Sequence, residues 1–297
     1  MQQIRLKAYG KVNLCLDIVG KRDNGYHDLR MVMQTVNLYD SIYMKKSENP
    51  GITLTSNVSW LPCDEGNLAW RAAKLLTDEF AVTEGVEISL YKYLPVAAGM
   101  AGGSADCATV LFGMNRLFEL GLSRQELMVR GLTLGSDVPY CLMRGTALAE
   151  GIGEQLTRLP DVPSCPVLIA KPPVSVSTKE VYQKFRLPEV REHPDVNGMV
   201  RAIREGNLDG ICSRMGNVLE TVTERDYPVI RELKDRMKVA GAANALMSGS
   251  GPTVFGLFPE NAKAAERAKE EILGSGLARQ VYVTEFFPMK STVQEVE

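Results

Sequence analysis

The stretch "PVAAGMAGGSAD", residues 95–106, constrains this chain more than any other. It holds Gly99, Gly102 and Gly103 among alanines, then Ser104 and, at its end, Asp106. Ahead of it, "GVEISLYKYLP" has the composition of a strand. Behind it, "CATVLFGMNRLFELG" reads as a helix. Its core face is expected at Ala105, Ala108, Leu111, Phe112, Leu117 and Leu120, and Gly121 is placed to stop it. Such a helix begins with unpaired N–H groups at the positive end of its dipole. Small residues let an anion approach those groups, and Ser104 adds a hydroxyl donor. The same composition also serves close packing of a helix on a sheet, so the loop alone leaves both uses open. Asp106 sharpens the question. A carboxylate repels a bound phosphate unless a cation intervenes, yet it also suits the start of a helix.

The wider sequence narrows the choice. With 297 residues the chain has room for about two domains. Its net charge of −2 and ordinary 24% charged content give no footprint of a nucleic-acid or anionic-membrane binder. The start, "MQQIRLKAYGK", lacks the apolar core of a secretory signal. The uncharged run from Val239 to Pro259 is broken by glycine, serine and proline, which makes it a poor membrane span. A cytoplasmic location is expected. The six cysteines show no C-x-x-C spacing, so they are expected to be small buried residues rather than zinc ligands or disulfides. His27 and His193 are the only histidines, so no metal-ligand set is expected and acid–base work falls to carboxylates or lysines.

Strand and helix patterns mix throughout. Between Lys11 and Val19 the residues alternate, with Val12, Leu14, Leu16 and Ile18 on one face and Lys11, Asn13, Cys15 and Asp17 on the other. Asn24-Gly25 signals a turn. "VMQTVNLYDSIYMKK" and "GITLTSNVSW" read as strands, and "NLAWRAAKLLTDEFA" as an amphipathic helix. Ser123 and Glu126 form a capping box. "GTALAEGIGEQLTRL" predicts a hairpin, and the proline-rich stretch after it marks a boundary. Beyond come helices around 195–240, a strand at Thr253–Phe258, a helix over "NAKAAERAKEEIL" and a strand at "QVYVTEFF". The expected fold is α+β in two lobes, 1–160 and 161–297.

Neither a P-loop, a complete dinucleotide fingerprint nor a nucleophile elbow is present. Lys11 on its strand has the ordinary reading of an edge charge, and Asp137 in "GSDVP" that of a turn former or cap. "SGSGPTVFGLF", from Ser248, is a small-residue turn opening into an apolar strand. It reads as a flexible turn or as a second wall for a nucleotide pocket.

Three segments taken together are more specific. "KVNLCLDI", "PVAAGMAGGSAD" and "SGSGPTVFGLF", in that order, resemble the signatures of the GHMP small-molecule kinases. "KVNLCLDIVGKRDNGYHDL", "GSDVP" and "EGIGEQL" resemble members whose alcohol substrate carries a cytidine. The resemblance implies a ribosomal-S5-like N-terminal lobe and an α/β C-terminal lobe, with ATP, Mg²⁺ and a small-molecule alcohol in the cleft between them. It implies that Lys11 and Asp137 form the catalytic pair. The nucleotide would be held along Pro95, Val96, Ala97, Ala98, Gly99, Met100, Ala101, Gly102, Gly103, Ser104 and Ala105, with Asn67, Leu68 and Lys92 at the adenosine. The substrate would meet Asn13 near its hydroxyl and Tyr26, His27, Thr178 and Tyr182 at its base. The loop departs from the family pattern at Ala101, Ala105 and Asp106, where a glycine, a second serine and an amide are more usual. Kinases of the family that act on mevalonate, homoserine or sugars, and a non-catalytic nucleotide-binding protein, remain alternatives at this point.

Overall fold

The computed structural model describes residues 1–23, 25–259 and 261–287. The predicted turn at Asn24-Gly25 therefore falls partly outside the described residues. Two long antiparallel strands, β1 (Gln3–Lys21) and β2 (His27–Ser47), run side by side as the spine of the fold. On its other edge β2 pairs with β4 (Gly85–Tyr91) at one end and β5 (Thr146–Gly151) at the other. β3 (Ile52–Ser56) extends the sheet beside β4, and β6 (Gln155–Arg158) beside β5. β5 and β6 are the predicted hairpin.

One face of this sheet is covered by α1 (Leu68–Glu79), α2 (Gly102–Leu117), α3 (Arg124–Leu134) and α4 (Val138–Met143). Sequence accounts for their limits. Asn67 accepts the Ala69 N–H at 2.9 Å and caps α1, and the expected Ser123/Glu126 box opens α3. α2 ends at Leu117, earlier than the predicted stop at Gly121. The helix does bury Ala105, Ala108, Leu111 and Leu117.

The chain then builds a second sheet from β7 (Pro166–Lys171), β9 (Asn244–Met247), β10 (Val254–Leu257) and β11 (Gln280–Glu285), in the order β11-β7-β10-β9. Helices α9 (Val229–Val239) and α10 (Ala262–Ser275) pack on it. β7 shows why the strand reads as a continuous apolar run. Leu168 and Ala170 are buried in the cluster that includes these helices, and Val167 and Ile169 in the cluster shared with the first sheet. Between the sheets lie α5 (Thr178–Lys184), α6 (Val196–Arg204), α7 (Leu208–Cys212) and α8 (Glu220–Asp226). The short β8 (Gly216–Asn217) returns to pair in parallel with β1 at Cys15 and Leu16.

The strand β1 differs from the simple alternation that its sequence suggests. Its pairing with β2 shifts between Asn13 and Cys15, leaving Leu14 as the extra residue. A bulge exchanges the faces on either side of it. Val12, Leu14 and Cys15 consequently share one core cluster, while Leu16 and Ile18 fall in the other. Lys11, Asn13 and Leu16 come to line the same cleft. Both faces of the strand are buried, so Lys11 is no edge charge; only 5% of it is exposed. Of the six cysteines, Cys63 is exposed and the other five are buried, which corrects the expectation that all were interior.

Candidate active site

A cleft of about 1010 Å³ opens where β1, the loop before α2, the turn before α4, α5 and the turn before β10 meet. Lys11 stands at its floor. Its Nζ donates to Asn13 Oδ1 at 2.8 Å and to the Gly99 carbonyl at 3.0 Å, and lies 4.0 Å from Asp137 Oδ2. Asp137 occupies the residue before α4 but caps no helix N–H with its side chain. The cap reading of this aspartate therefore fails, and the carboxylate points into the cleft instead.

The loop reaches the cleft through Ala97, Ala98, Gly99, Ala101, Gly102, Gly103 and Ser104, with Leu68 beside them. Ala101 precedes α2 in the left-handed conformation, φ 56°, and offers its first N–H groups no side-chain acceptor. Those N–H groups keep the character of an anion site. A Cβ built on Gly135 would stand 3.8 Å from Ser104 Oγ, which puts that hydroxyl beside the Gly135–Asp137 turn. At Gly99 the close approach is backbone to backbone. An added Cβ would lie 2.0 Å from the Ser248 carbonyl oxygen, and φ is +78°. The Gly99 carbonyl also accepts from Ser248 Oγ at 2.9 Å, so the loop is sutured to the second glycine-rich turn.

That turn has its own anchor, which sequence reading missed. Asn217 donates to the carbonyls of Met247, at 2.9 Å, and Gly249, at 2.7 Å. Its residue type carries no signal at such separation; only the parallel pairing of β8 with β1 brings it there. Ser250 shares a 2.8 Å hydrogen bond with Thr178, at the start of α5. Tyr182, a turn later, faces His27 with ring centroids 5.5 Å apart and the planes tilted by 34°. Phe185 meets the same imidazole edge-on at 6.0 Å. Burial, and secondarily the charge of Lys21, push the His27 imidazole below its ordinary range, favouring its neutral form. Burial pushes the Tyr182 phenol up. Tyr26 lines the cleft with 60% of its surface exposed.

Lys11, Asn13, Tyr26, His27, Asp137, Thr178 and Tyr182 thus all line one cleft. Other residues singled out from sequence stand behind it. Met100 and Ala105 are core residues, and Asn67 is engaged in capping α1 and bonding the Pro62 carbonyl. Pro95 and Val96 lead into the loop without lining the cleft. Lys92 does not reach the cleft with its side chain. Its ammonium is enclosed between Asp40 and Asp106, at 2.6 Å from Asp106 Oδ2. Asp106, beside the loop, thus pairs with Lys92.

The chain also resembles known proteins. The family models for the N-terminal and C-terminal domains of GHMP kinases match residues 67–145 and 199–275. The chain is 55% identical to the 4-diphosphocytidyl-2-C-methyl-D-erythritol kinase of Lachnospira eligens, over 97% of this chain and 99% of that protein. It is 53% identical to the enzyme of that name from Lachnoclostridium phytofermentans, over 98% and 100%. A crystal structure of 4-(cytidine 5'-diphospho)-2C-methyl-D-erythritol kinase superposes with a TM-score of 0.80 at 31% identity, covering 96% of this chain and 99% of that one. The homoserine kinase of Cytophaga hutchinsonii shares the fold, with a TM-score of 0.75 at 21% identity over 96% and 95%.

Proposed function

The chain belongs to the GHMP kinase family, and from that premise we propose how its cleft works as an ATP-dependent small-molecule kinase. The reaction is transfer of the γ-phosphoryl group of ATP to a hydroxyl of 4-diphosphocytidyl-2-C-methyl-D-erythritol, a step of isoprenoid precursor synthesis by the non-mevalonate route. One observation carries the reading. A small-residue loop with uncapped helix N–H groups, a lysine–aspartate pair and a cluster of aromatic rings all open into one cleft. The lobe of residues 1–160 supplies the loop and the pair, and the lobe from 161 onward supplies Thr178, Tyr182 and the turn at Ser248.

Phosphoryl transfer needs positioning and charge stabilisation more than covalent help. The ATP phosphates lie along Gly99–Ser104, against the N-terminus of α2. Asp137 accepts the proton of the attacking hydroxyl. Lys11, 4.0 Å away, offsets charge growing on the attacking oxygen. Asn13 fixes the ammonium by accepting its 2.8 Å hydrogen bond. Among the described residues no group of three or more His, Cys, Asp or Glu forms a metal cage. Ser104, with its hydroxyl, and Asp137, with its carboxylate, would hold a hard ion such as Mg²⁺ beside the nucleotide. When bound, Mg²⁺ would supply charge neutralisation on those phosphates. At the substrate's other end, His27 and Tyr182 are too close for a base to enter between them. The cytosine therefore lies on the exposed ring of Tyr26 and the outer face of Tyr182, with neutral His27 reading its edge. No helix among the described residues is long and apolar enough to cross a membrane.

The test is an ATP-coupled assay with the cytidyl alcohol beside mevalonate and homoserine. Turnover confined to the cytidyl alcohol is expected. Turnover of mevalonate or homoserine in its place would overturn the substrate, and turnover of none would overturn the kinase.

A further inference from the structure

Behind the loop lies a second charged group that the mechanism does not use. Lys92, Asp40 and Asp106 are each buried, and they come from different parts of the fold. Asp40 is on β2, Lys92 follows β4, and Asp106 lies in the first turns of α2. The Lys92 ammonium bonds Asp40 Oδ2 and, at 2.6 Å, Asp106 Oδ2. The other oxygen of Asp40 accepts the backbone N–H groups of Tyr93 and Leu94, at 2.6 and 2.8 Å. Asn57 brackets Lys92 itself, accepting its N–H at 2.7 Å and donating to its carbonyl at 3.2 Å. The backbone of Lys92, Tyr93 and Leu94, which leads towards the glycine-rich loop, is thus held from the side.

The ammonium also lies directly under the start of the helix. A Cβ built on Gly102 would stand 3.4 Å from Lys92 Nζ. The loop proper has little to hold it in place from within. Its alanines and glycines offer no side-chain hydrogen bonds, and its fastening to the other lobe is at Gly99. From these contacts we infer that Lys92 is a positioning residue for the phosphate loop, acting through Asp106 and Gly102 to fix where the first N–H groups of α2 point. It needs no contact with nucleotide to do so. A lysine suits the task because one ammonium has three donors on a compact charge and can serve two carboxylates at once. The cluster is not tuned for stability alone: Asp106 Oδ1 is buried without a partner, a cost that packing apolar residues would avoid.

The inference rests on the ATP reading of the loop, and binding measured on folded protein separates the two. Calorimetry with a non-hydrolysable ATP analogue and, separately, with cytidine 5'-diphosphate is applied to the wild-type chain, Asp106→Ala and Asp106→Asn. Asp106→Ala cuts the tie to α2 while leaving a neutral Lys92–Asp40 pair. It is expected to weaken the ATP analogue about tenfold and the cytidine nucleotide less than twofold. Asp106→Asn keeps an acceptor for Lys92 and is expected to restore the ATP affinity to within threefold of wild type. Should the alanine variant fail to fold, Asp106→Ser is read in its place. Unchanged ATP affinity in Asp106→Ala, or equal losses for both ligands, would overturn the positioning role and leave the cluster a stabilising one. A wild-type chain that binds cytidine diphosphate but no ATP analogue would overturn the reading beneath it.

Discussion

The molecule holds two lysine–aspartate groups on either side of one loop, and they are built in opposite ways. At Lys11 the nearest carboxylate oxygen is 4.0 Å off, and Asp137 is open to the cleft. At Lys92 two carboxylates close on the ammonium, one at 2.6 Å, and water is excluded from all three. A loose pair leaves donors and acceptors for something that arrives later. A closed one has spent its ammonium on the protein. The difference separates a pair suited to chemistry from a cluster suited to holding backbone, although the residue types are the same.

The largest expected effect breaks the open pair. Asp137→Asn should lower kcat by roughly 10²–10⁴-fold, the usual contribution of a general base, with little change in KM. Lys11→Met should lower kcat comparably. Since Asp137 caps nothing, its asparagine variant should unfold at nearly the wild-type denaturant concentration. Steady-state kinetics and a denaturant titration check both halves. Near-normal kcat in Asp137→Asn would return that residue to the turn.

Breaking the closed cluster should do the reverse. Lys92→Met leaves two carboxylates buried without their cation. Removing one partner of such a group costs about 3–5 kcal/mol. The variant should show a large drop in denaturation midpoint, while whatever folds binds an ATP analogue more weakly but retains Asp137 chemistry. A midpoint within 1 kcal/mol of wild type, by the order of magnitude set for exposed pairs, would mean that the cluster is hydrated in solution.

The same contrast marks what the sequence made legible. The three motif segments are local, so their loops and flanking elements could be read from composition and spacing, and Lys11, Asp137, His27 and Tyr182 do meet in one cleft. What was hidden depends on distant partners or on a break in periodicity. Lys92, which the family resemblance places at the adenosine, turns inward because Asp40, from another strand, is brought against it. The bulge at Leu14 leaves the alternating pattern of β1 intact in sequence while exchanging its faces in space. Asn217 acts on a turn some thirty residues later because β8 pairs with β1. Exposed Cys63 sits in an irregular segment where no periodicity could say which way it faced.

A third test sharpens the comparison through pH. Burial, and then the charge of Asp40, raise the Asp106 carboxyl well above its ordinary range, against the pull of Lys92. A carboxyl raised in the folded state binds its proton more tightly there than in the unfolded chain. Its contribution to stability is present below the unfolded value near 3.8 and is lost as pH rises through the folded one. Asp106→Asn has no such proton to lose. Its stability relative to wild type should therefore increase with pH from about 4 upward, levelling off above the raised value. Denaturation midpoints of Asp106→Asn and wild type between pH 4 and 9 decide it, and parallel curves would sink the assignment.

The smallest effect lies in the loop between the two groups. Ala101 sits at φ 56° and ψ 28°, where a Cβ crowds the following carbonyl and costs roughly 1–2 kcal/mol. Glycine adopts the same angles freely, but it gains freedom in the unfolded chain, which takes back about 0.4–1 kcal/mol. Ala101→Gly should thus stabilise the fold by a net amount on the order of 0.5 kcal/mol, an upward shift in Tm of about 1–2 °C for a chain this long. If Lys92 and Gly99 already fix the loop from both sides, the added freedom at 101 should leave affinity for an ATP analogue unchanged within twofold. A loop held only by its own backbone would instead lose affinity as stability rose. Scanning calorimetry and ligand titration on the one variant distinguish these outcomes, because positioning from outside predicts that the two quantities move independently.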